Sequence, residues 1–272
     1  MNKQKEIDKI VKDIKEVKIQ GARNIAKKAL KAYFLIPTKK SKKILLKSRP
    51  TEPMLWNVLK KAEKVSEKEI LKHFDFAQNE INKNVLKLIK KNSVIFTHCH
   101  STSIINALIF AKRKGKKFEV YNTETRPLFQ GRQTAKELKR AKIKVTMFVD
   151  SAVGVALSKE QGTEKPDLVL LGADALTKKG VINKIGSEVI CQIAKNQEIP
   201  VYIVADSWKF TKAKVPHEQR ELNEVWDKAP KKIKIQNPAF EFIPKKYLAG
   251  IVSEFGVQSY GEFLRKVRGR KI

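Results

Sequence analysis

The sequence has few cysteines and no long apolar run. Its 272 residues contain two cysteines, Cys99 and Cys191, so a fold built on disulfides is excluded. No apolar stretch reaches the roughly 18 residues that a membrane span needs. Residues 1–12 are charged and lack the apolar core of a signal peptide. We therefore expect a cytoplasmic protein with reduced thiols and no membrane partner.

Acidic residues are also scarce. The chain has 28 of them against 58 lysines and arginines, which gives a formal net charge of +30. Hydrophobic residues make up 42% of the chain, so it can bury a core and is not a disordered basic tail. The charge is consistent with a nucleic-acid surface, with a phosphorylated substrate, or with lysines spread over solvated helix faces. No RNA-binding motif is present, so a nucleic-acid partner is suggested by charge alone.

The chain divides into a helical and a mixed part. Up to residue 90, apolar residues recur at helical spacing. Further on, short apolar runs alternate with helical segments, and strands are predicted at 94–96, 118–121, 145–149, 168–171 and 201–204. This alternation predicts an α/β fold, a Rossmann-like parallel sheet with helices on both faces. We predict an N-terminal helical domain over 1–90 and an α/β domain over 91–272.

Polar and titratable residues follow each predicted strand. The segments are 97–103, 122–127, 150–151, 172–175 and 205–209. Ligands of parallel sheets bind beyond the carboxyl ends of the strands, so these segments predict the rim of one site. The loops also bring Arg126, Arg132, Lys184 and Lys209, which can pair with phosphate or form a solvated basic face. The sequence has neither GxGxxG nor a Walker A motif, so no nucleotide cofactor is indicated.

Cys99 follows the first predicted strand and precedes a helix. A helix N-terminus can lower the pKa of such a thiol and make it a base or nucleophile, whereas most free cysteines are small buried hydrophobes. Cys191 lies within a predicted helix beside apolar residues and fits only the second description. His98 and His100 flank Cys99 but do not complete a tetrahedral ligand set, so we expect no metal.

Asp174 lies in a Gly-Ala-Asp turn after a wholly apolar strand. Partial desolvation there can keep the carboxyl protonated near neutral pH, as a general acid requires; the alternative is a helix N-cap. Ser101, Thr102 and Ser103 open the helix after the first strand. Hydroxyls and backbone amides at a helix start favour an anion, so we expect these three residues to contact substrate.

Several motifs together resemble one family. They are Thr97-His98-Cys99, the segment 123–127 (TETRP) with Gln130-Gly131, Gly172-Ala173-Asp174, the segment 182–186 (INKIG) and the segment 237–240 (NPAF). The chain is similar to the family that joins the regulatory subunits of translation initiation factor 2B to two sugar-phosphate isomerases. These isomerases are methylthioribose-1-phosphate isomerase and archaeal ribose-1,5-bisphosphate isomerase. The residues of the first two motifs are most similar to those of the archaeal ribose-1,5-bisphosphate isomerases.

The resemblance implies a set of site residues. In the isomerases a cysteine and an aspartate flank the substrate, and the matching positions are Cys99 as base and Asp174 as acid. The substrate-binding positions that it implies are Gln20, Gly21, Ala22, Arg23, Arg49, Asn183, Lys184 and Lys209. Gln20 stands where the isomerases have arginine, which removes a bidentate phosphate contact. Arg23 is three residues away and is a candidate replacement.

The implied reaction is the isomerisation of ribose 1,5-bisphosphate to ribulose 1,5-bisphosphate without a metal or redox cofactor. The resemblance also implies a phosphorylated sugar as partner, a homo-oligomer (dimer or hexamer) and AMP as a possible activator. The alternative is a non-catalytic protein, related to the regulatory subunits, that binds a protein partner.

Overall fold

A computed structural model describes residues 3–159 and 161–269. The helices are α1 (Lys3–Lys15), α2 (Ala22–Leu35), α3 (Lys39–Ser48), α4 (Pro53–Lys61), α5 (Glu67–Leu88), α6 (Thr102–Arg113), α7 (Gln130–Arg140), α8 (Val153–Ala156), α9 (Ser187–Asn196) and α10 (Tyr260–Gly269). The strands are β1 (Ser93–Thr97), β2 (Phe118–Thr123), β3 (Lys144–Phe148), β4 (Leu168–Leu171), β5 (Ala175–Leu176), β6 (Gly180–Lys184), β7 (Val201–Val204), β8 (Phe240–Pro244), β9 (Gly250–Ser253) and β10 (Gly256–Gln258). No helix in these ranges is both long enough and apolar enough to span a bilayer.

Seven strands form one sheet in the order β10-β9-β7-β4-β1-β2-β3. All neighbours are parallel except β10, which pairs antiparallel with β9. The five predicted strands are β1, β2, β3, β4 and β7, and the predicted α/β architecture is confirmed. Strands β1, β4 and β7 are almost entirely buried, as expected for the centre of a sheet that is covered on both faces.

A second, three-stranded sheet has the order β5-β6-β8 and is antiparallel. This sheet was not predicted from the sequence, because its strands are short and the residues of β6 belong to a motif with no clear strand pattern. This sheet leaves the main one directly after β4. It therefore places β6 beside the turn that contains Asp174.

Five helices precede β1, and the predicted division at residue 90 falls between α5 and β1. The long helix α5 begins with a capping box in which Ser66 and Glu69 exchange hydrogen bonds. Along α5 the buried residue Phe74 packs with the N-terminal helices, while Ile81 and Val85 pack with α6 and the main sheet. Helix α5 thus belongs to the cores of both parts of the chain.

Candidate active site

Three adjacent strands, β1, β4 and β7, set the position of the site. Because they are parallel, their carboxyl ends reach the same edge of the sheet. Cys99 follows β1, Asp174 follows β4 and Lys209 follows β7. The three side chains line one cavity of about 620 Å³. The rim that the sequence predicts is therefore present at this edge.

All thirteen residues for which a catalytic or substrate-binding role is expected line this cavity. They are Gln20, Gly21, Ala22, Arg23, Arg49, Cys99, Ser101, Thr102, Ser103, Asp174, Asn183, Lys184 and Lys209. The lining contains seven lysines or arginines and three carboxylates, so the cavity favours an anionic ligand. A phosphorylated sugar has the size and charge that such a cavity accommodates.

The backbone of Cys99 is left-handed, with a φ angle of 64°. Its N–H donates to Oγ1 of Thr125 over 3.0 Å, and its carbonyl accepts from Oγ1 of Thr134 over 2.7 Å. Two hydroxyls from outside β1 thus hold the turn that presents the thiol. This strained conformation is maintained by its surroundings, as is common at functional positions.

The pKa of the Cys99 thiol moves in the opposite direction from the sequence-based expectation. Burial raises it to about 11, although the charge of Lys184 and the backbone N–H of His100 lower it in part. The expected lowering by the helix end is therefore wrong. The first turn of α6 begins at Thr102, and its effect does not offset the loss of water around the sulfur. At neutral pH the thiol is protonated.

His98 fixes the turn from the other side. Its Nε2 lies 2.9 Å from the carbonyl oxygen of Ile185 and its Nδ1 lies 2.5 Å from Oγ1 of Thr123. A carbonyl only accepts, so Nε2 donates and Nδ1 accepts from the threonine hydroxyl. Burial lowers the pKa of His98 to about 4, so the imidazole is neutral at pH 7. His98 connects β1, β2 and the end of β6.

Asp174 lies between β4 and β5, and its N–H donates to the carbonyl of Ile182 over 2.8 Å. A strand follows it rather than a helix, so the N-cap alternative is excluded. Burial raises the pKa of the Asp174 carboxyl, against the opposing charges of Lys209, Lys184 and Arg49. The direction agrees with the one expected for a general acid.

The cations around Asp174 come from three separate segments. Lys209, in the 3₁₀ turn after β7, donates its Nζ to the carbonyl of Ala173. Lys184 ends β6, and its Nζ lies 4.9 Å from the centre of the Phe240 ring. Arg49 follows α3 and pairs with Glu218 at 2.9 Å. The site therefore depends on long-range packing between these segments.

The helix starts of α2 and α6 meet at the cavity. Gly21 precedes α2 with a φ angle of 81°, and a Cβ there would lie 3.9 Å from Oγ1 of Thr102 at the start of α6. The starts of α2 and α6 therefore lie close together, and backbone N–H groups at helix starts suit a phosphate. Gln20 is exposed at this end of the cavity. Asn183, by contrast, is buried and donates to Oγ of Ser187.

Arg23 is held by other residues and its charge is largely balanced. Its Nη1 donates to Oε1 of Gln78 over 2.9 Å, and burial lowers its pKa against the charges of Asp206, Asp75 and Glu254. Its buried Nη2 has no hydrogen-bond partner in residues 3–159 and 161–269. This nitrogen is the part of Arg23 whose hydrogen-bonding capacity is not used within these residues.

Two other arginines lie outside this cavity. Arg126 donates to the carbonyl of Val225, and Arg132 pairs with Glu124 at 2.7 Å. Neither lines the cavity of Cys99 and Asp174, so the sequence-based suggestion that they bind the same phosphate is not supported by the structure. Arg132 instead lines a neighbouring cavity along α7.

Sequence reasoning missed several lining residues. They include the buried Glu52 and the half-buried Arg220 and Phe240. Glu52 stands at the N-cap of α4, a position that favours Asn, Asp, Ser or Thr. A glutamate there is unusual, and this could have marked it as a candidate site residue. Arg220 and Phe240 come from segments far along the chain, and no spacing pattern connects them to Cys99.

One group of side chains in the described ranges could hold a cation. His73, Asp206 and Glu254 bring their ligand atoms within 4.8 Å of one another. His73 also stacks on Trp208 with a ring separation of 3.6 Å and lies 3.2 Å from Asp206. The charge of Arg23 also acts on Asp206, whose buried Oδ2 has no hydrogen-bond partner among residues 3–159 and 161–269.

The comparisons with known proteins agree with the motifs. The model of the initiation factor 2 subunit family matches residues 25–259. The chain belongs to this family. A ribose 1,5-bisphosphate isomerase of Archaeoglobus fulgidus is 32% identical, covering 92% of this chain and 89% of the relative. One of Methanocaldococcus jannaschii is 34% identical, covering 90% and 88%.

A solved structure confirms the fold. The Pyrococcus horikoshii translation initiation factor eIF-2B superposes with a TM-score of 0.81 at 25% identity, covering 93% of this chain and 96% of that one. The family therefore includes relatives of both kinds, named as isomerases and as initiation factors. The resemblance that the sequence motifs indicate is confirmed.

Proposed function

We propose that this cavity is the active site of a sugar-phosphate isomerase that converts ribose 1,5-bisphosphate to ribulose 1,5-bisphosphate. The observation that carries the proposal is that Cys99 and Asp174 line one cavity whose other charged residues are mostly cations. The similarity to ribose 1,5-bisphosphate isomerases over nine-tenths of the chain supports this substrate. The reaction redistributes hydrogen within one molecule, so it needs no external oxidant or reductant.

During the reaction two atoms of the substrate gain a proton and two others lose one. The ring oxygen and the anomeric carbon each gain a proton, while the neighbouring carbon and its hydroxyl each lose one. Asp174, whose pKa is raised, donates to the ring oxygen and later accepts the hydroxyl proton. Cys99 accepts the proton from the neighbouring carbon and returns it to the anomeric carbon. Each group begins and ends the cycle in the same state.

Cys99 must ionise before it can act as a base. With its pKa near 11, ionisation at pH 7 costs about 5 kcal/mol. The charge of Lys184 and the N–H of His100 both favour the thiolate and reduce this cost. Lys184 therefore has two functions in the proposal, since it stabilises the thiolate and also contacts a phosphate.

The cations and helix starts hold the substrate. Arg49, Lys184 and Lys209 are candidates for one phosphate, and the backbone N–H groups at the starts of α2 and α6 for the other. Holding both ends of the sugar fixes its reactive carbons relative to the thiol and the carboxyl. Such positioning can contribute several kcal/mol to catalysis.

The test is an assay of the purified protein with ribose 1,5-bisphosphate, with detection of ribulose 1,5-bisphosphate. We expect turnover by the wild type and a loss of at least about a hundredfold in Cys99→Ser and in Asp174→Asn. Cys191→Ala, which removes the other thiol, is the matched control and should retain activity. Full activity in either active-site variant contradicts the assignment. No turnover, together with co-purification with initiation factor 2, favours the regulatory alternative.

Assembly and regulation are further parts of the proposal. Strand β3 is at one edge of the main sheet. Met147 within this strand and Val149 directly after it have exposures of 45% and 55%. An apolar sheet edge supports a homo-oligomer, a dimer or hexamer, which light scattering measures. Activation by AMP is tested by repeating the assay with and without it.

A further inference from the structure

Glu52 is a buried carboxyl in the cavity that the mechanism above does not use. It follows the Arg49-Pro50-Thr51 segment and stands at the N-cap of α4. Its side chain makes no capping hydrogen bond, and only 4% of its surface is exposed. Its Oε1 is buried and has no hydrogen-bond partner within the part of the chain that the structure describes. A contact with the N–H of Met54 at the start of α4 still leaves Oε1 without a partner, so helix capping does not explain this oxygen.

The surroundings of Glu52 favour its protonated form. Burial raises its pKa to about 8, and the charge of Asp174 adds to the rise. The charges of Lys209 and Arg49 and the N–H of Met54 oppose it.

Asp174 is in a similar position. Burial raises its pKa, and the charged groups that face it are Lys209, Lys184, Arg49 and Glu218. Lys209 and Arg49 thus act on both carboxyls. Two carboxyls that face one buried cavity and the same two cations resist double ionisation, because the second negative charge meets the first.

Resting on the function proposed above, we propose that Glu52 is the proton-sharing partner of Asp174, and that the two carboxyls hold a single proton at neutral pH. Glu52 acts through Asp174 and is a positioning residue for that proton. Its charge keeps Asp174 able to donate to the ring oxygen. When the hydroxyl proton of the substrate returns, the pair holds one proton again, so no proton is gained or lost over a cycle.

The pair adds to the effect of burial, which already raises the pKa of Asp174 against several cations. Lys209, Lys184 and Arg49 alone favour an ionised Asp174, which could not act as an acid. A second carboxyl in the same cavity counters these cations. The known dyads in which two carboxyls share one proton follow the same rule.

The test compares Glu52→Gln with the wild type in the pH dependence of kcat/KM. Removing the Glu52 charge makes Asp174 ionise at lower pH, so the rise in activity that follows ionisation of Cys99 levels off at lower pH. For a shift of about one pH unit, we expect about a fivefold loss at the midpoint of the wild type and less than about a twofold change two pH units below it. Glu52→Asp, which keeps the carboxyl, should restore most of the alkaline activity.

Glu67→Gln is the matched control. Glu67 is in the first turn of α5, outside the lining of the cavity, and its change removes the same charge. It should leave the pH profile unchanged. A purely structural role for Glu52 lowers activity equally at all pH values, and that outcome overturns the proposal. An unchanged profile in Glu52→Gln overturns it as well.

An infrared titration separates this proposal from the proposed function. Infrared difference spectra are taken between the wild type and Glu52→Gln, and between the wild type and Asp174→Asn. They isolate the absorption band of the protonated carboxyl of the pair without any substrate. We expect one such band at pH 7 in the wild type, and a lower ionisation midpoint for the carboxyl that remains in each variant. If the infrared spectra show one protonated carboxyl but the protein has no turnover, the proton-sharing pair is supported and the proposed isomerase activity is refuted. Two ionised carboxyls at pH 7 refute the pair, whatever the activity.

Discussion

The guanidinium of Arg49 and the carboxylate of Glu218 form a direct ion pair, with Nη2 of Arg49 2.9 Å from Oε1 of Glu218. The second carboxylate oxygen of Glu218 accepts from Oγ1 of Thr51 over 2.8 Å. Both side chains of the pair are only 14% exposed, so the contact is protected from water. A residue from the segment after β7 thus orients a cation that comes from the N-terminal helices.

We expect Glu218→Gln to raise KM for the bisphosphate about fivefold, with a smaller effect on kcat. Loss of a charged hydrogen bond costs on the order of 1 kcal/mol, and the freed Arg49 loses its fixed orientation. Steady-state kinetics measure the split between KM and kcat. Glu221→Gln, an exposed position in the same segment, is the control. An unchanged or lower KM shows that Glu218 does not hold Arg49 for the substrate.

The reactivity of Cys99 should depend steeply on pH. Since its pKa is near 11, its rate of alkylation by iodoacetamide should rise about tenfold per pH unit between pH 7 and 10. The measurement uses the Cys191→Ala background, so that one thiol reacts. Lys184→Gln should slow the reaction at each pH, because the lysine charge favours the thiolate. A rate that levels off near pH 8 contradicts the raised pKa.

His98 should make the fold sensitive to acid. Its pKa is about 4 in the folded protein and about 6.5 in an unfolded chain, so the unfolded state binds the proton first as pH falls. The stability that the neutral imidazole contributes is present above pH 6.5 and is lost by pH 4, a change of about 3 kcal/mol in the free energy of unfolding.

Urea unfolding at pH 7 and at pH 4 measures this change. His98→Gln cannot bind the proton, so the difference in unfolding free energy between wild type and variant should shrink as pH falls. A difference that stays constant over this range means that another group is responsible for the acid sensitivity.

Gln20 can be replaced to restore a phosphate contact. Gln20 is exposed at the cavity beside the start of α2, where an arginine would add a bidentate donor. We expect Gln20→Arg to lower KM about threefold or more, with Gln20→Lys giving less because its ammonium lacks the fork geometry. Kinetics at two salt concentrations check that the gain is electrostatic. No change in KM places the phosphate elsewhere.

The five parallel strands and the polar rim could be read from the sequence. Buried parallel strands are continuous apolar runs, and β1, β4 and β7 show this clearly, so the positions of Cys99, Asp174 and Lys209 followed from chain order alone. The antiparallel β5-β6-β8 sheet did not follow. Its strands have two to five residues, and their pairing joins segments about sixty residues apart.

The electrostatics of the site could not be predicted from sequence. The pKa of Cys99 depends on how much water reaches the sulfur, and that is set by packing from several segments. Glu52 was missed for the same reason, because its proximity to Asp174 joins positions more than a hundred residues apart. Local patterns identify which groups are present, and tertiary packing determines which of them carry a proton.

The residue before Lys209 connects the two parts of the chain. Trp208 packs in the core of the N-terminal helices, and Nδ2 of Asn57 in α4 donates to the carbonyls of Trp208 and Phe210, on both sides of Lys209. Lys209 in turn donates to the carbonyl of Ala173, next to Asp174. Local unfolding of α4 would therefore displace the Lys209 ammonium in the active site. The protein would then lose activity before the main sheet unfolds.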